Sequence, residues 1–266
     1  MGDNVDPIPV RRQATVTRPP SPALTSAALL IAATLLGGPG KRPVLAQSPD
    51  SEVRQLVTFR FLPGGFEDAM DIYREQALPL YRRDGAMRSF RGLREVESPI
   101  PLDLVVVSAF ADMGAMDESN AALRRLAAEA GTSIGAIYGA ISEVSERHDD
   151  QFVEMRPALY TGDPASHRLV ALVWYRTLPG EQDNFERHLA DDVVSWERRN
   201  GIASETGRFL VSDGWTHLRF LGFDSLADYQ AYWNGLSDVG GHGYIESLTA
   251  VRREVILAPV PELSVR

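Results

Sequence analysis

His217 is the side chain whose neighbours in the sequence best suit catalysis. It lies in a run that alternates as a strand does, so Trp215, His217, Arg219 and Leu221 are predicted to share one face. A buried imidazole beside a fixed cation stays neutral, and a neutral imidazole can remove a proton or accept a hydrogen bond. The pattern indicates a ligand pocket with His217 as base, Arg219 stabilising negative charge and Trp215 as an apolar wall. The alternative is a structural histidine in a barrel wall.

The remaining histidines are weaker candidates for chemistry. His188 lies one helical turn before Asp191 and Asp192, a spacing that can bind a metal ion but is more typical of a solvated helix edge. The others are predicted at a helix end, at the start of a strand and in a glycine-rich loop: His148, His167 and His242. No two histidines have the spacing of a zinc or haem site, and no phosphate-binding or dinucleotide motif occurs. We therefore predict neither a metal nor a cofactor.

Aromatic side chains cluster in one predicted helix of the second half of the chain. Helical spacing places Tyr229 and Trp233 on the buried side and leaves Tyr232 off it. Tyrosine and tryptophan are favoured in protein interfaces. Tyr232 is therefore predicted to contact a protein partner.

Composition limits the possible functions. The chain has 266 residues, of which 44% are hydrophobic, a formal net charge of −9 and no cysteine. Binding to nucleic acid requires concentrated Lys and Arg, so the acidic balance argues against it. The absence of cysteine excludes disulfides and thiolate chemistry.

One local pattern occurs twice in the chain. A strand-like run ends at Leu62-Pro63-Gly64 before Phe66, and a second run ends at Leu178-Pro179-Gly180 before Phe185. Proline and glycine predict a turn, and the apolar residues that follow recur with helical spacing. Phe66 and Phe185 head these apolar stripes, so both are predicted to be buried. Each copy continues with a hairpin, a helix and a strand, which predicts two βαββαβ units.

The paired turns, together with Phe223-Asp224-Ser225-Leu226-Ala227 before an aromatic helix, resemble the dimeric α+β barrel superfamily. The likeness is strongest to its NIPSNAP, EthD-like and antibiotic-biosynthesis-monooxygenase branches and covers about residues 52–262. It implies that two ferredoxin-like sheets pack face to face as one barrel within a single chain. Members of the superfamily include cofactor-independent oxygenases, lactone isomerases and haem enzymes, so the resemblance selects no reaction.

The predicted fold class is therefore α+β, with tandem ferredoxin-like repeats at residues 52–162 and 166–262 that form an intrachain barrel. Residues 1–46 combine arginines, an apolar stretch and a small-residue site at Val44-Leu45-Ala46, which is the pattern of a secretory signal peptide. A membrane-associated leader is the alternative for this segment. Residues 47–51 are predicted as linker.

These features predict an exported protein, periplasmic or on the extracytoplasmic face of the membrane. The leading interpretation is a non-catalytic binding or accessory protein, a subunit of a membrane complex with a protein partner. The alternative is a cofactor-independent oxygenase or isomerase that acts on a small apolar or aromatic molecule in the cavity of the second repeat. No nucleic-acid partner is expected.

Overall fold

The computed structural model describes residues 52–238 and 240–265, in which strands and helices follow the same order in two halves. The strands are β1 Val53–Phe61, β2 Met87–Glu97, β3 Leu104–Phe110, β4 Ser145–Met155, β5 Leu169–Thr177, β6 Ala203–Val211, β7 His217–Phe223 and β8 Thr249–Val265. The α-helices are α1 Gly65–Ile72, α2 Leu78–Tyr81, α3 Met113–Glu129, α4 Ile134–Glu143, α5 Gln182–His188, α6 Val194–Arg199, α7 Leu226–Asp238 and α8 Gly241–Leu248. Short 3-10 turns at Pro157–Leu159 and Pro164–Ser166 join the halves.

The eight strands close into one antiparallel barrel in the order β1-β3-β2-β8-β5-β7-β6-β4. Each half contributes four adjacent strands in the ferredoxin-like order, β4-β1-β3-β2 and β8-β5-β7-β6. The halves meet where β2 pairs with β8 and where β4 pairs with β6. Closure leaves no strand of the sheet with an unpaired edge. The predicted α+β barrel is therefore confirmed.

Among the described residues there are three apolar layers, one inside the barrel and one beneath the helices of each half. The barrel interior includes Leu56, Val105, Leu172 and Leu218. The helix layer of the second half contains Tyr175, Phe185, Leu189, Leu221 and Tyr232. Strand alternation explains the division, because successive side chains of β5 and β7 point to the barrel interior and to the helices in turn.

The doubled turn has the same conformation in both halves. Gly64 and Gly180 both adopt the left-handed region, with φ of 82° and 84°, as the turn requires. The helix after each turn is interrupted by five π-helical residues, Tyr73–Ala77 in the first half and Leu189–Val193 in the second. Pro79 follows the first interruption, but Ser195 occupies the corresponding place in the second. The interruption therefore belongs to the fold and does not depend on proline.

Two local predictions are corrected by the structure. The segment before Phe152 is not a helix end, because β4 begins at Ser145 and pairs with β1 along its length, which places His148 in a strand. Backbone pairing outweighs the polar composition of this segment. Phe185 is fully buried, whereas Phe66 is only partly buried, with the Arg94 guanidinium 4.3 Å from its ring centre.

The signal-peptide or leader prediction for residues 1–46 and the linker prediction for 47–51 lie outside the described residues. Within residues 52–238 and 240–265, no helix combines the length and apolar character needed to cross a membrane.

Candidate functional site

A cleft opens among the helices of the second half, bounded by α5, its π-helical continuation and α6 on one side and by the ends of α7 and α8 on the other. We call it the helix cleft. Its volume is about 650 Å³, and its walls include His188, Asp192, Trp196, Gly241 and Tyr244. Sites for small molecules typically measure about 300–1,000 Å³, so the cleft can hold one such ligand.

An oriented imidazole lies in the wall of this cleft. His188 is the last residue of α5, and its Nδ1 is 2.8 Å from Oδ2 of Asp192, which lies in the π-helical segment. The other nitrogen, Nε2, lies 3.3 Å from the carbonyl oxygen of Gly241, at the start of α8. A carboxylate that holds one nitrogen fixes the ring and directs the other nitrogen as a base. The longer contact to Gly241 is the one that a substrate group can replace.

Aromatic rings flank this imidazole. The Tyr244 ring centre is 4.4 Å from that of His188, and Tyr244 is 48% exposed at the cleft. Trp196 lines the same cleft and meets Tyr232 edge to face at 5.6 Å. The rings of Tyr244 and Trp196 can make offset and edge contacts with an aromatic ligand. Much of the remaining wall is polar and is formed by Asn184, Arg187, Asp191 and Arg199.

His217 lies away from the helix cleft, beneath α5. Its Nε2 is 3.0 Å from Oε1 of Glu186, its Nδ1 is 3.1 Å from the Thr216 hydroxyl, and its ring packs on Phe185. Burial lowers the pKa of His217 and outweighs the opposing effect of Glu186, so the imidazole is neutral. Burial alone would raise the pKa of Glu186, but the hydrogen bond from His217 and the nearby Arg156 and Arg208 lower it. The imidazole is fully buried, both of its nitrogens contact protein groups, and it does not line the helix cleft.

Arg219, for which the sequence predicts stabilisation of negative charge on a ligand, also lies outside the helix cleft. Both side chains of the Arg219–Glu197 ion pair are 0% exposed, with Nη2 at 2.8 Å from each carboxylate oxygen. Nε of Arg219 donates to the Thr206 hydroxyl and Nη1 donates to the Tyr232 hydroxyl. Burial alone would lower the pKa of Arg219, but Glu197 and Tyr232 raise it, so the guanidinium remains charged. Arg219 therefore links β7 to β6, α6 and α7 through hydrogen bonds and an ion pair.

Trp215 is separated from both of these residues. It precedes β7 and packs with the barrel interior, between the guanidinium groups of Arg176 and Arg253 at 5.3 Å and 4.8 Å from its ring centre. The three predicted pocket residues do not share a face, because the strand begins at His217 and the alternation does not extend back to Trp215.

The interface prediction for Tyr232 is wrong. Tyr232 is 2% exposed, and its hydroxyl donates to Oε1 of Glu197 at 2.7 Å. The buried face of α7 is centred on Tyr232 and Leu236, because the helix packs over a buried polar network, and Tyr229 and Trp233 are only partly buried. Tyr232 therefore contacts the interior of the protein and not a partner.

Haem enzymes occur in the superfamily that the sequence resembles, so we asked whether the residues of this site fit a haem. Nδ1 of His188 contacts Asp192, the Gly241 carbonyl oxygen lies 3.3 Å from Nε2 at the position an iron ion would take, and the layer beneath is filled by side chains such as Leu189 and Val193. These residues do not fit a haem. Across residues 52–238 and 240–265, no group of three or more His, Cys, Asp or Glu is arranged to hold a metal ion.

The helix cleft was not predicted from the sequence. The spacing of His188 and Asp192 was visible, but a helical histidine with nearby carboxylates is usually solvated, and the packing of α8 over His188 is a tertiary feature. The π-helical interruption, which often marks functional sites, has no simple sequence signature. The glycines before α8 were a usable signal, since Gly240 adopts φ of 72° where the chain turns back towards His188.

Comparison with solved structures identifies the architecture. No protein-family model matches the sequence, and no curated protein is similar to it. A protein assigned as a monooxygenase from Lactobacillus acidophilus superposes with a TM-score of 0.55 at 8% identity, over 80% of this chain and 95% of that one. A chlorite dismutase from Candidatus Nitrospira defluvii gives 0.52 at 10%, over 80% and 93%, and an anthrone oxidase-like protein gives 0.51 at 9%, over 79% and 92%. This chain shares their dimeric α+β barrel fold.

These comparisons correct the leading functional interpretation. The sequence favoured a non-catalytic accessory protein, whereas the structural neighbours are described as monooxygenases, chlorite dismutases and an anthrone oxidase-like protein. At such low identity the likeness establishes the fold and not the reaction. None of the neighbours named here is described as an accessory subunit.

Proposed function

We propose that this protein is a cofactor-independent oxygenase that binds a small aromatic substrate in the helix cleft of its second half. The observation that carries the proposal is the His188–Asp192 pair, held in the wall of a cleft of about 650 Å³ between aromatic side chains. The antibiotic-biosynthesis-monooxygenase likeness in the sequence and the monooxygenase and anthrone oxidase-like neighbours support the same class of reaction.

The chemistry begins with removal of a proton. In the neutral ring of His188, Nδ1–H donates to Asp192 and Nε2 carries the lone pair, so Nε2 acts as the base once the substrate displaces the Gly241 carbonyl oxygen that faces it at 3.3 Å. The substrate is an aromatic compound with an acidic C–H or O–H, whose anion is stabilised by the ring system. Dioxygen then takes two electrons from this anion and bonds to the carbon as a peroxide, which takes up a proton. Loss of the second hydrogen as a proton breaks the O–O bond, forms the carbonyl group and releases hydroxide, which takes up a proton to become water. In the overall balance a CH₂ group and O₂ become a carbonyl group and water, so the substrate itself supplies all the electrons.

Anthrone is a suitable first substrate, because it has such a CH₂ group between two aromatic rings and one structural neighbour is described as anthrone oxidase-like. The assay measures formation of anthraquinone and consumption of dioxygen by the full chain, corrected for spontaneous oxidation. We expect His188→Gln to lower kcat by about 10²–10⁴, the usual contribution of a general base. Asp192→Asn should lower it less, since it removes only the orientation of the ring.

His167 provides a matched control. It also faces a carboxylate, with Nδ1 3.3 Å from Asp224, but it lies outside the helix cleft. His167→Gln should leave turnover unchanged. Equal activity of the wild type and His188→Gln would refute the assignment of the base. Turnover of a substrate without consumption of dioxygen would show isomerisation in place of oxygenation.

A further inference from the structure

Two hydroxyl groups on one strand are buried without a hydrogen-bond partner. Among the described residues, four buried side-chain atoms lack a partner: Nε of Arg156, Oη of Tyr160, Oη of Tyr175 and Oγ1 of Thr177. Tyr175 and Thr177 are two residues apart on β5, so both point from the barrel towards the helices. An unpaired buried hydroxyl lowers stability, and two on one face require an explanation.

The surroundings of Tyr175 suit an aromatic molecule that carries an oxygen atom. Its ring centre is 5.0 Å from that of Phe185, which provides an apolar neighbour. In the strand register Tyr175 lies between His217 on β7 and Arg252 on β8. Burial raises the pKa of Tyr175 to about 12, so its hydroxyl is protonated and can donate a hydrogen bond. Arg252 is paired with Glu254, so the group that Tyr175 offers to a phenolate or carbonyl oxygen is its own hydroxyl.

The helix cleft and this hydroxyl are joined by the first turn of α8. Gly241 lines the cleft, and the next residue, His242, accepts a hydrogen bond at Nε2 from Nη1 of Arg252 at 2.7 Å. Arg252 is the direct cross-strand neighbour of Tyr175. Tyr175 and Thr177 do not themselves line the helix cleft, so a ligand reaches them only if this turn moves outwards.

We propose that Tyr175 and Thr177 form the inner end of the substrate site, where their hydroxyl groups donate hydrogen bonds to a phenolate or carbonyl oxygen of the aromatic ligand. This inference rests on the proposed function. It assigns the aromatic body of the ligand to the helix cleft and its oxygen to β5.

The first test compares two tyrosines of the same layer. Tyr175 and Tyr232 are both almost completely buried, but the Tyr232 hydroxyl bonds Glu197 and Arg219. Tyr232→Phe should lower Tm, whereas Tyr175→Phe should leave Tm unchanged or raise it, because it removes an unpartnered polar group. A loss of Tm in Tyr175→Phe as large as that in Tyr232→Phe would show that its hydroxyl has a structural partner, such as an ordered water, and would overturn the proposal.

The second test measures binding of para-nitrophenol to the full chain, with its visible absorption reporting phenol or phenolate. Tyr175→Phe and Thr177→Val should each weaken binding about tenfold or more, since a site built for an oxygen loses affinity when a donor is removed. Nitrobenzene, which lacks the hydroxyl, should bind equally to the wild type and to Tyr175→Phe. Equal affinity of both proteins for para-nitrophenol would overturn the proposal.

The two proposals fail in distinguishable ways. If anthrone turnover requires His188, but substitution of Tyr175 or Thr177 changes neither para-nitrophenol binding nor anthrone turnover, the inner site is wrong and the proposed function stands. If the wild type neither binds para-nitrophenol nor oxidises anthrone, the proposed function fails and the inner site fails with it.

Discussion

The buried ion pair of Arg219 and Glu197 predicts a large and strongly coupled effect on stability. Arg219→Met removes the donors to Glu197, Thr206 and Tyr232 and leaves a fully buried carboxylate. That carboxylate keeps only the hydroxyl groups of Ser204 and Tyr232, at 2.6 Å and 2.7 Å. Breaking a buried pair from one side costs about 3–5 kcal/mol, because the remaining charge is uncompensated. We expect a loss of this size in the free energy of unfolding.

Glu197→Gln is the reciprocal change, since it leaves the Arg219 charge buried while preserving the shape of the side chain. The double variant removes both charges, so we expect it to be more stable than the sum of the single losses predicts, by about 1–3 kcal/mol. Urea denaturation of all four proteins measures this coupling. Losses of unfolding free energy below about 1 kcal/mol in the single variants, or losses that are additive in the double variant, would refute the account of Arg219 and Glu197 as a coupled buried pair.

Two further predictions concern the pH dependence of stability that arises from His217 and the loss of stability when Phe185 or Phe66 is truncated. Burial holds the pKa of His217 below its ordinary value of 6.5, so the unfolded chain takes up a proton before the folded protein does, and stability falls as the pH drops below that value. Glu186, whose pKa is also held low, adds a second loss at more acidic pH. In the wild type, the free energy of unfolding should change by up to about 1.4 kcal/mol per pH unit between about pH 7 and pH 5 because of His217. His217→Gln should remove this slope from urea denaturation measured across that range. An unchanged slope would contradict the low pKa of His217. Phe185→Ala should cost about 3–5 kcal/mol and the partly exposed Phe66→Ala about 1–2 kcal/mol, so equal losses in urea denaturation would show that the two positions are equally buried.

Much of the architecture could be predicted from local patterns. The doubled Leu-Pro-Gly turn, with its glycine in the left-handed region, and the change from strand to helical spacing after it both appear in the structure as expected. Strand and helix periodicities depend on residues a few positions apart, so they can be predicted from the sequence alone. The π-helical interruptions and the early start of β4 depend on packing and on pairing with β1, and local spacing does not reveal them.

The candidate site was harder to predict, and the reason is physical. Strand alternation correctly indicated that His217 and Arg219 point the same way, but not that α5, α6 and α7 would cover them with Glu186, Glu197 and Tyr232. A residue's chemistry depends on which groups approach it from other elements. His188 shows the converse, since a side chain expected at a solvated edge is buried by the first turn of α8.

The sequence by itself therefore determined the repeated α+β units, the turns between their elements and the acidic, cysteine-free composition. Only the tertiary structure decided that the sheets of the two halves join through β2 with β8 and β4 with β6, and that the open cleft lies at His188 and not at His217. Periodicity and turn chemistry act between residues a few positions apart. The closed barrel and the cleft arise from contacts between residues distant in the chain, whose geometry is set when the helices pack on the finished sheet.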